Sequence, residues 1–195
     1  ICNAYKAVAK ESSLMPGQDI LIFGLGTIGL LAVKIAHLMG AGRIIAVNRS
    51  HNERRFQIAR EFGATDVICS KEEDVIQRVT DITRGEMVPI LIDCAGQNQI
   101  LEMALTLLQK GGEFIKVGYD ANPVNVSLDR YVNKGIRIQG HFAYDYMGWK
   151  NCLKLLELGK LDVRSIITHR LPLQQWEEGF HLVESRDGIK VIFEF

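Results

Sequence analysis

Short apolar runs alternate along the chain with stretches whose apolar residues recur at helical spacing. Ile20 to Phe23 is an apolar run suited to a strand buried on both faces. A helical pattern follows and leads to a second apolar run, Ile44 to Val47. Between residues 50 and 62, Phe56, Ile58, Ala59 and Phe62 mark the inward side of a helix, and Gly63 follows as a C-cap. The stretch TDVICS reads as a short strand. Val75, Ile76, Val79 and Ile82 then share one helical face that Gly85 ends. Pro89 enters another apolar run, PILIDCAG, read as a buried strand. Ile100, Leu101, Met103, Ala104, Leu107 and Leu108 predict a helix that continues to the double glycine Gly111–Gly112. A strand EFIKVGY, a short helix capped by Ser127 and a sixth strand IRIQGHF complete the alternation.

Strands alternating with helices and joined by short connections predict right-handed βαβ units around one parallel sheet. The class is therefore α/β, a doubly wound parallel sheet. Beyond residue 140 the rhythm changes. YMGWKNCLKLLELGK reads as one helix, LDVRSIITHRLPL as irregular around Pro172, QQWEEGFHLVESRDG as a further helix and IKVIFEF as a closing strand. Residues 1–159 are expected to form the sheet domain with a lead-in helix, and residues 160–195 a C-terminal helix–strand extension.

Composition narrows the partners. Basic and acidic residues number 23 each, and hydrophobic residues make up 47%. A net charge of zero speaks against a nucleic-acid or membrane-surface role resting on bulk charge. No apolar stretch approaches the roughly 20 residues of a membrane span. No basic start and apolar middle mark a signal peptide. Cys2, Cys69, Cys94 and Cys152 are scattered without metal or disulfide spacing, so free thiols in a reducing, cytoplasmic compartment are expected. The five histidines are isolated, and no metal site is expected. The chain begins at Ile1 rather than Met, as a piece of a longer protein would.

The most informative chemistry lies at GLGTIG, residues 24–29. Three glycines after a strand and at the start of a helix, with a second strand about 20 residues on, form the dinucleotide fingerprint of a Rossmann fold. Gly24 allows a tight turn, Gly26 lets a pyrophosphate approach the backbone, and Gly29 lets helix and strand pack closely. Thr27 and Ile28 lie in the first turn, whose free N–H groups face the phosphates. An acid normally follows the second strand to hold the adenosine ribose; here Asn48 and Arg49 stand in its place. Loss of the carboxylate and gain of a guanidinium favour NADP, with NAD as the alternative. Arg54 and Arg55 are placed to reach the same edge.

The stretch PGQDILIFGLGTIGLLAVKIAHLMGAGRIIAV resembles the cofactor domain of the medium-chain, zinc-type alcohol dehydrogenases. The resemblance continues through FGATDVI, LIDCAG, LLQKGGEFIKVG and the C-terminal segment, and so covers the whole chain. GHFAY followed by LLELGKLD resembles the polyol branch, the sorbitol, butanediol and threonine dehydrogenases, although Ala143 stands where that branch usually has Arg. The resemblance implies hydride transfer between a secondary alcohol and NAD(P). It implies that Val117 and Gly118 flank the nicotinamide with Gly140, His141 and Phe142. It implies that Cys94, Ala95 and Gly96 border the adenosine half, and that Lys190 is a basic contact for the pyrophosphate. It further implies that the zinc ligands of the full-length enzyme lie upstream of Ile1, that residues 160–195 return to a catalytic domain, and that the protein is a homo-oligomer joined at the sheet edge near residues 135–142. No residue of the chain is expected to transfer a proton. Two other readings compete: a zinc-free relative of the quinone-reductase kind, whose glycine motif normally differs from GLGTIG, and a dinucleotide-binding module without catalysis.

Overall fold

A computed structural model describes all 195 residues. Six parallel strands form one sheet in the order β3-β2-β1-β4-β5-β6. They are β1 (Ile20–Phe23), β2 (Ile44–Asn48), β3 (Asp66–Cys69), β4 (Val88–Asp93), β5 (Leu108–Lys116) and β6 (Arg137–Gly140). Helices α2 (Thr27–Leu38), α3 (Glu53–Glu61), α4 (Val75–Thr83), α5 (Gln99–Leu107) and α6 (Leu128–Lys134) make the crossovers. A lead-in helix α1 (Cys2–Lys6) runs into a π-helical turn, Ala7–Glu11. The α/β class and the doubly wound parallel sheet are as the sequence predicts.

The central strands are apolar throughout because both faces are covered. Ile20 and Ile22 point to one cluster with α1 and α2, while Leu21 and Phe23 point to another with α4 and α5. Chain order 1-2-3 runs outward on one side of β1 and 4-5-6 outward on the other. The order therefore reverses between β1 and β4, which opens a crevice at their carboxyl ends.

Three local expectations need correction. Helix α5 does not reach the double glycine. It stops at Leu107, and Leu108 already pairs with Val88 before a register irregularity brings Glu113 beside Ile90. Leu108 is fully buried in the cluster under β4, so tertiary packing overrides the helical continuation. Ser127 occupies the N-cap position of α6, but its hydroxyl makes no capping bond. Residues 167–172, read as irregular, form a strand β7 (Ile167–Pro172). After helix α7 (Tyr146–Glu157), β7 joins α8 (Trp176–Glu184) and β8 (Lys190–Glu194) in a separate parallel two-stranded βαβ unit.

The C-terminal segment is not detached from the main core. Leu161, Ile166 and Ile189 are each buried in the cluster around α2. Its other face carries Trp176, Phe180 and Val183, about half exposed.

Candidate functional site

The crevice at the reversal point is a cleft of about 530 Å³. Its floor is the turn Gly24–Thr27 after β1. One wall is the turn Asn48–Asn52 after β2, another is Cys94–Ala95 after β4, and the last is the loop Ser185–Ile189 before β8.

Each glycine of the turn has a separate physical reason. Gly24 has φ +89°, and a Cβ there would sit 2.7 Å from the Ala95 nitrogen. Gly29 is helical, but its Cβ would fall 1.7 Å from the Gly24 carbonyl oxygen. A Cβ on Gly26, by contrast, would meet nothing within 4 Å. Gly26 faces open cleft at the N-cap of α2, with no side chain capping the helix. The first-turn N–H groups thus have no helical acceptor and carry the positive end of the dipole.

The carboxyl end of β4 is organised by Asp93, which is fully buried. Its Oδ1 accepts from the Ala95 and Gly96 N–H groups at 2.9 Å each, and its Oδ2 lies 2.6 Å from Lys116 Nζ. Its backbone carbonyl accepts from Val117 N–H and Gly118 N–H. Beside it, burial and then the Asp93 charge push the Cys94 thiol up, so it stays protonated near neutral pH.

The residues singled out from the sequence divide into three groups. Gly24, Gly26, Thr27, Asn48, Arg49, Cys94 and Ala95 all line the cleft. Ile28 and Gly29 lie in the first turn of α2, and Gly96 is packed against Tyr119 with φ +85°. Val117, Gly118, Gly140, His141 and Phe142 do not line the cleft; they lie at the same carboxyl edge of the sheet, at the ends of β5 and β6. His141 is turned inward, with Nδ1 2.6 Å from Glu11 Oε2 and Nε2 buried without a partner. Lys190 is exposed on β8 and does not line the cleft either.

Two side chains play parts that the sequence reading did not assign. Asn48 Oδ1 accepts from Leu25 N–H at 3.3 Å, and its Nδ2 donates to the Ser50 carbonyl at 2.8 Å. It ties the wall after β2 to the glycine-turn floor of the cleft. Arg55 is buried rather than displayed at the edge. It donates to the carbonyls of Leu25 at 2.7 Å, Arg186 at 2.9 Å and Gly188 at 3.0 Å. Thr27 Oγ1 adds a 2.6 Å bond to the Ile189 carbonyl. The C-terminal loop is thereby fastened over the glycine turn.

A glycine turn at a strand-to-helix junction, set at the reversal point of a parallel sheet, defines the dinucleotide-binding class of α/β domain. The chain belongs to the zinc-binding dehydrogenase family, whose model matches residues 27–158. It is 38% identical over its whole length to an uncharacterized zinc-type alcohol dehydrogenase-like protein, YdjL, of Escherichia coli K12, and spans 55% of that protein. It is 34% identical to an L-threonine 3-dehydrogenase of Bacillus velezensis, over 93% of this chain and 52% of the relative. In structure it superposes on the alcohol dehydrogenase TADH from Thermus sp. ATN1 with a TM-score of 0.91 at 27% identity, covering 100% of this chain and 55% of the other. The chain therefore spans about half the length of the relatives it matches and covers their cofactor-binding portion.

Proposed function

We propose that this chain is the cofactor-binding half of a zinc-dependent alcohol or polyol dehydrogenase that moves hydride between a secondary alcohol and NADP, with NAD as the second choice. The observation that carries the reading is the cleft itself, with an open Gly26 before an uncapped helix N-terminus and Arg49 at its far edge. The residues fit a dinucleotide: the turn offers N–H donors to a diphosphate, and the wall after β2 offers a cation and no carboxylate at the adenosine end. The bound cofactor supplies the hydride acceptor, and this chain's residues hold and orient it. Zinc is a different matter. The chain groups no three His, Cys, Asp or Glu side chains able to hold a metal ion, so the reading places those ligands in the rest of the full-length protein. No zinc-free or non-catalytic reading is favoured by any feature of the cleft.

Arg49 is exposed and has no carboxylate partner, which leaves its guanidinium available to a 2′-phosphate. Arg49→Ala is expected to weaken NADP binding by roughly tenfold. That is the low end of a charged hydrogen bond's about 1.5–3 kcal/mol, because solvent screens an exposed group. NAD affinity should change little. Dissociation constants for both cofactors at one salt concentration decide it, and an equal loss for both would show that Arg49 does not read the phosphate.

The same reading includes self-association. β6 pairs only with β5, its outer edge is free, it contains no proline, and Ile138 is exposed on it. Such an edge suits antiparallel pairing with a second copy across a two-fold axis. Sedimentation at micromolar concentration is expected to give a dimer or larger, and a mass equal to one chain would count against it.

A further inference from the structure

Six of the twelve arginines of this chain pair with carboxylates, while Arg54, Arg84 and Arg130 do not and lie outside the cleft lining. Arg43, Arg60, Arg78, Arg137, Arg164 and Arg170 each lie within 4 Å of a carboxylate. The three that line the cleft, Arg49, Arg55 and Arg186, do not, and Asp187 is the one carboxylate in the lining. Asp187 is engaged by the Ser185 hydroxyl at 2.8 Å. The cleft edge thus gathers cations that no protein anion neutralises. Burial holds the Arg55 guanidinium below its usual pKa, and the nearby Arg186 charge acts in the same direction. Like charges held together at a cleft favour an anionic ligand.

Arg186 is also held in place. Its backbone has φ +69°, a left-handed conformation that L side chains rarely adopt. That conformation is kept by bonds on both sides of it. Arg186 N–H donates to the Val183 carbonyl, and Gly188 N–H donates to the Leu182 carbonyl at 2.7 Å. Arg55 holds the Arg186 and Gly188 carbonyls, and Thr27 holds that of Ile189. The same Arg55 guanidinium grips Leu25 of the glycine turn. The result is a charged, exposed side chain on a tethered loop that lines the same cleft as Arg49.

We propose that Arg186 is a second cationic contact for the 2′-phosphate of a phosphorylated dinucleotide, presented from the C-terminal loop, with Arg55 as the positioning residue that fixes this loop to the glycine turn. The proposal rests on the dinucleotide reading of the cleft. It makes cofactor preference a joint property of two distant segments, residues 48–55 and 185–189.

The test uses Arg186→Asn in the full-length protein, since Asn tolerates the left-handed backbone while removing the charge. NADP and NAD dissociation constants are measured by titration at low and at high salt. NADP affinity should fall by about tenfold at low salt, less at high salt, and NAD affinity by less than about twofold. Arg55→Lys keeps a charge but presents its donors from a single nitrogen and loses the planar fork that spans the Leu25 carbonyl and those of Arg186 and Gly188, so it too should lower the ratio of NADP to NAD affinity. A merely structural role for Arg55 would weaken both cofactors alike. An unchanged ratio in Arg186→Asn, or equal losses for both cofactors, overturns the proposal and leaves the cofactor reading intact. Failure of the unaltered protein to bind either dinucleotide overturns both.

Discussion

Asp93→Ala is expected to cost about 3–5 kcal/mol of folding stability, the range for removing one partner of a buried charge pair. The carboxylate has no exposure to solvent and serves three donors at once: the Ala95 and Gly96 N–H groups and Lys116 Nζ. Alanine leaves two backbone N–H groups without acceptors and a cation without its partner. Lys116 is 24% exposed and can turn toward water, which places the loss nearer the lower end. Asp93→Asn should fall between parent and alanine. Its amide oxygen can still accept from the turn, but its NH2 group then faces the ammonium. Urea unfolding with an unchanged slope would measure the difference. A loss below about 1 kcal/mol would mean that the turn after β4 does not depend on this carboxylate. Cofactor affinity should fall as well, because Ala95 forms a wall of the cleft.

The parts of this molecule that follow simple periods were legible in the sequence. Strands buried on both faces demand unbroken apolar runs, so β1, β2 and β4 stood out. The turn between β1 and α2 was equally plain, because three glycines at that spacing meet a steric need. What was missed lies where one residue answers to distant partners. β7 was hidden because His169 breaks the apolar face between Ile167 and Leu171 and Pro172 closes the run after only two apolar positions. Its pairing with β8 comes from 20 or so residues away, beyond local pattern. Leu108 continues the apolar stripe of α5, and only its packing against Val88 turns it into a strand.

The candidate site was half legible for the same reason. Asn48 and Arg49 were found because a known position called for an acid and lacked one. Arg55 was placed at the edge, although a signal for burial existed. It lies three, four and seven positions before Ile58, Ala59 and Phe62, all of them buried. A charged residue on that apolar stripe needs polar partners inside, and here they are carbonyls from the glycine turn and from a loop 130 residues on. Asp93 carried a similar signal, a lone charge closing the apolar run PILID. Neither partner set could be read from the chain, because both depend on how the C-terminal segment and β5 return to the sheet.

Gly29→Ala and Gly26→Ala should separate packing from cofactor approach within one turn. Alanine is the better helix former, by about 0.5–1 kcal/mol in a helix interior. At Gly29 that gain is outweighed. The added methyl would sit 1.7 Å from the Gly24 carbonyl oxygen, which is backbone and cannot swing aside, and 3.5 Å from Cys94 Cβ. α2 must therefore lift from β1, against the buried Leu30, Leu31 and Val33 that seat it. Overpacking of this kind costs about 1–3 kcal/mol, and the glycine turn moves with the helix. Gly29→Ala is expected to lower the melting temperature and to abolish most dinucleotide binding. Gly26 has φ −76° and ψ −173°, which alanine adopts without strain, and nothing lies within 4 Å of the new Cβ. Gly26→Ala should melt with the parent yet bind dinucleotide more weakly, because its methyl occupies space that the diphosphate needs. Thermal unfolding and cofactor titration on both variants give four results that must agree. Normal binding by Gly26→Ala would remove the diphosphate from the turn, and parent-like melting of Gly29→Ala would show that helix and strand are not in the close contact described.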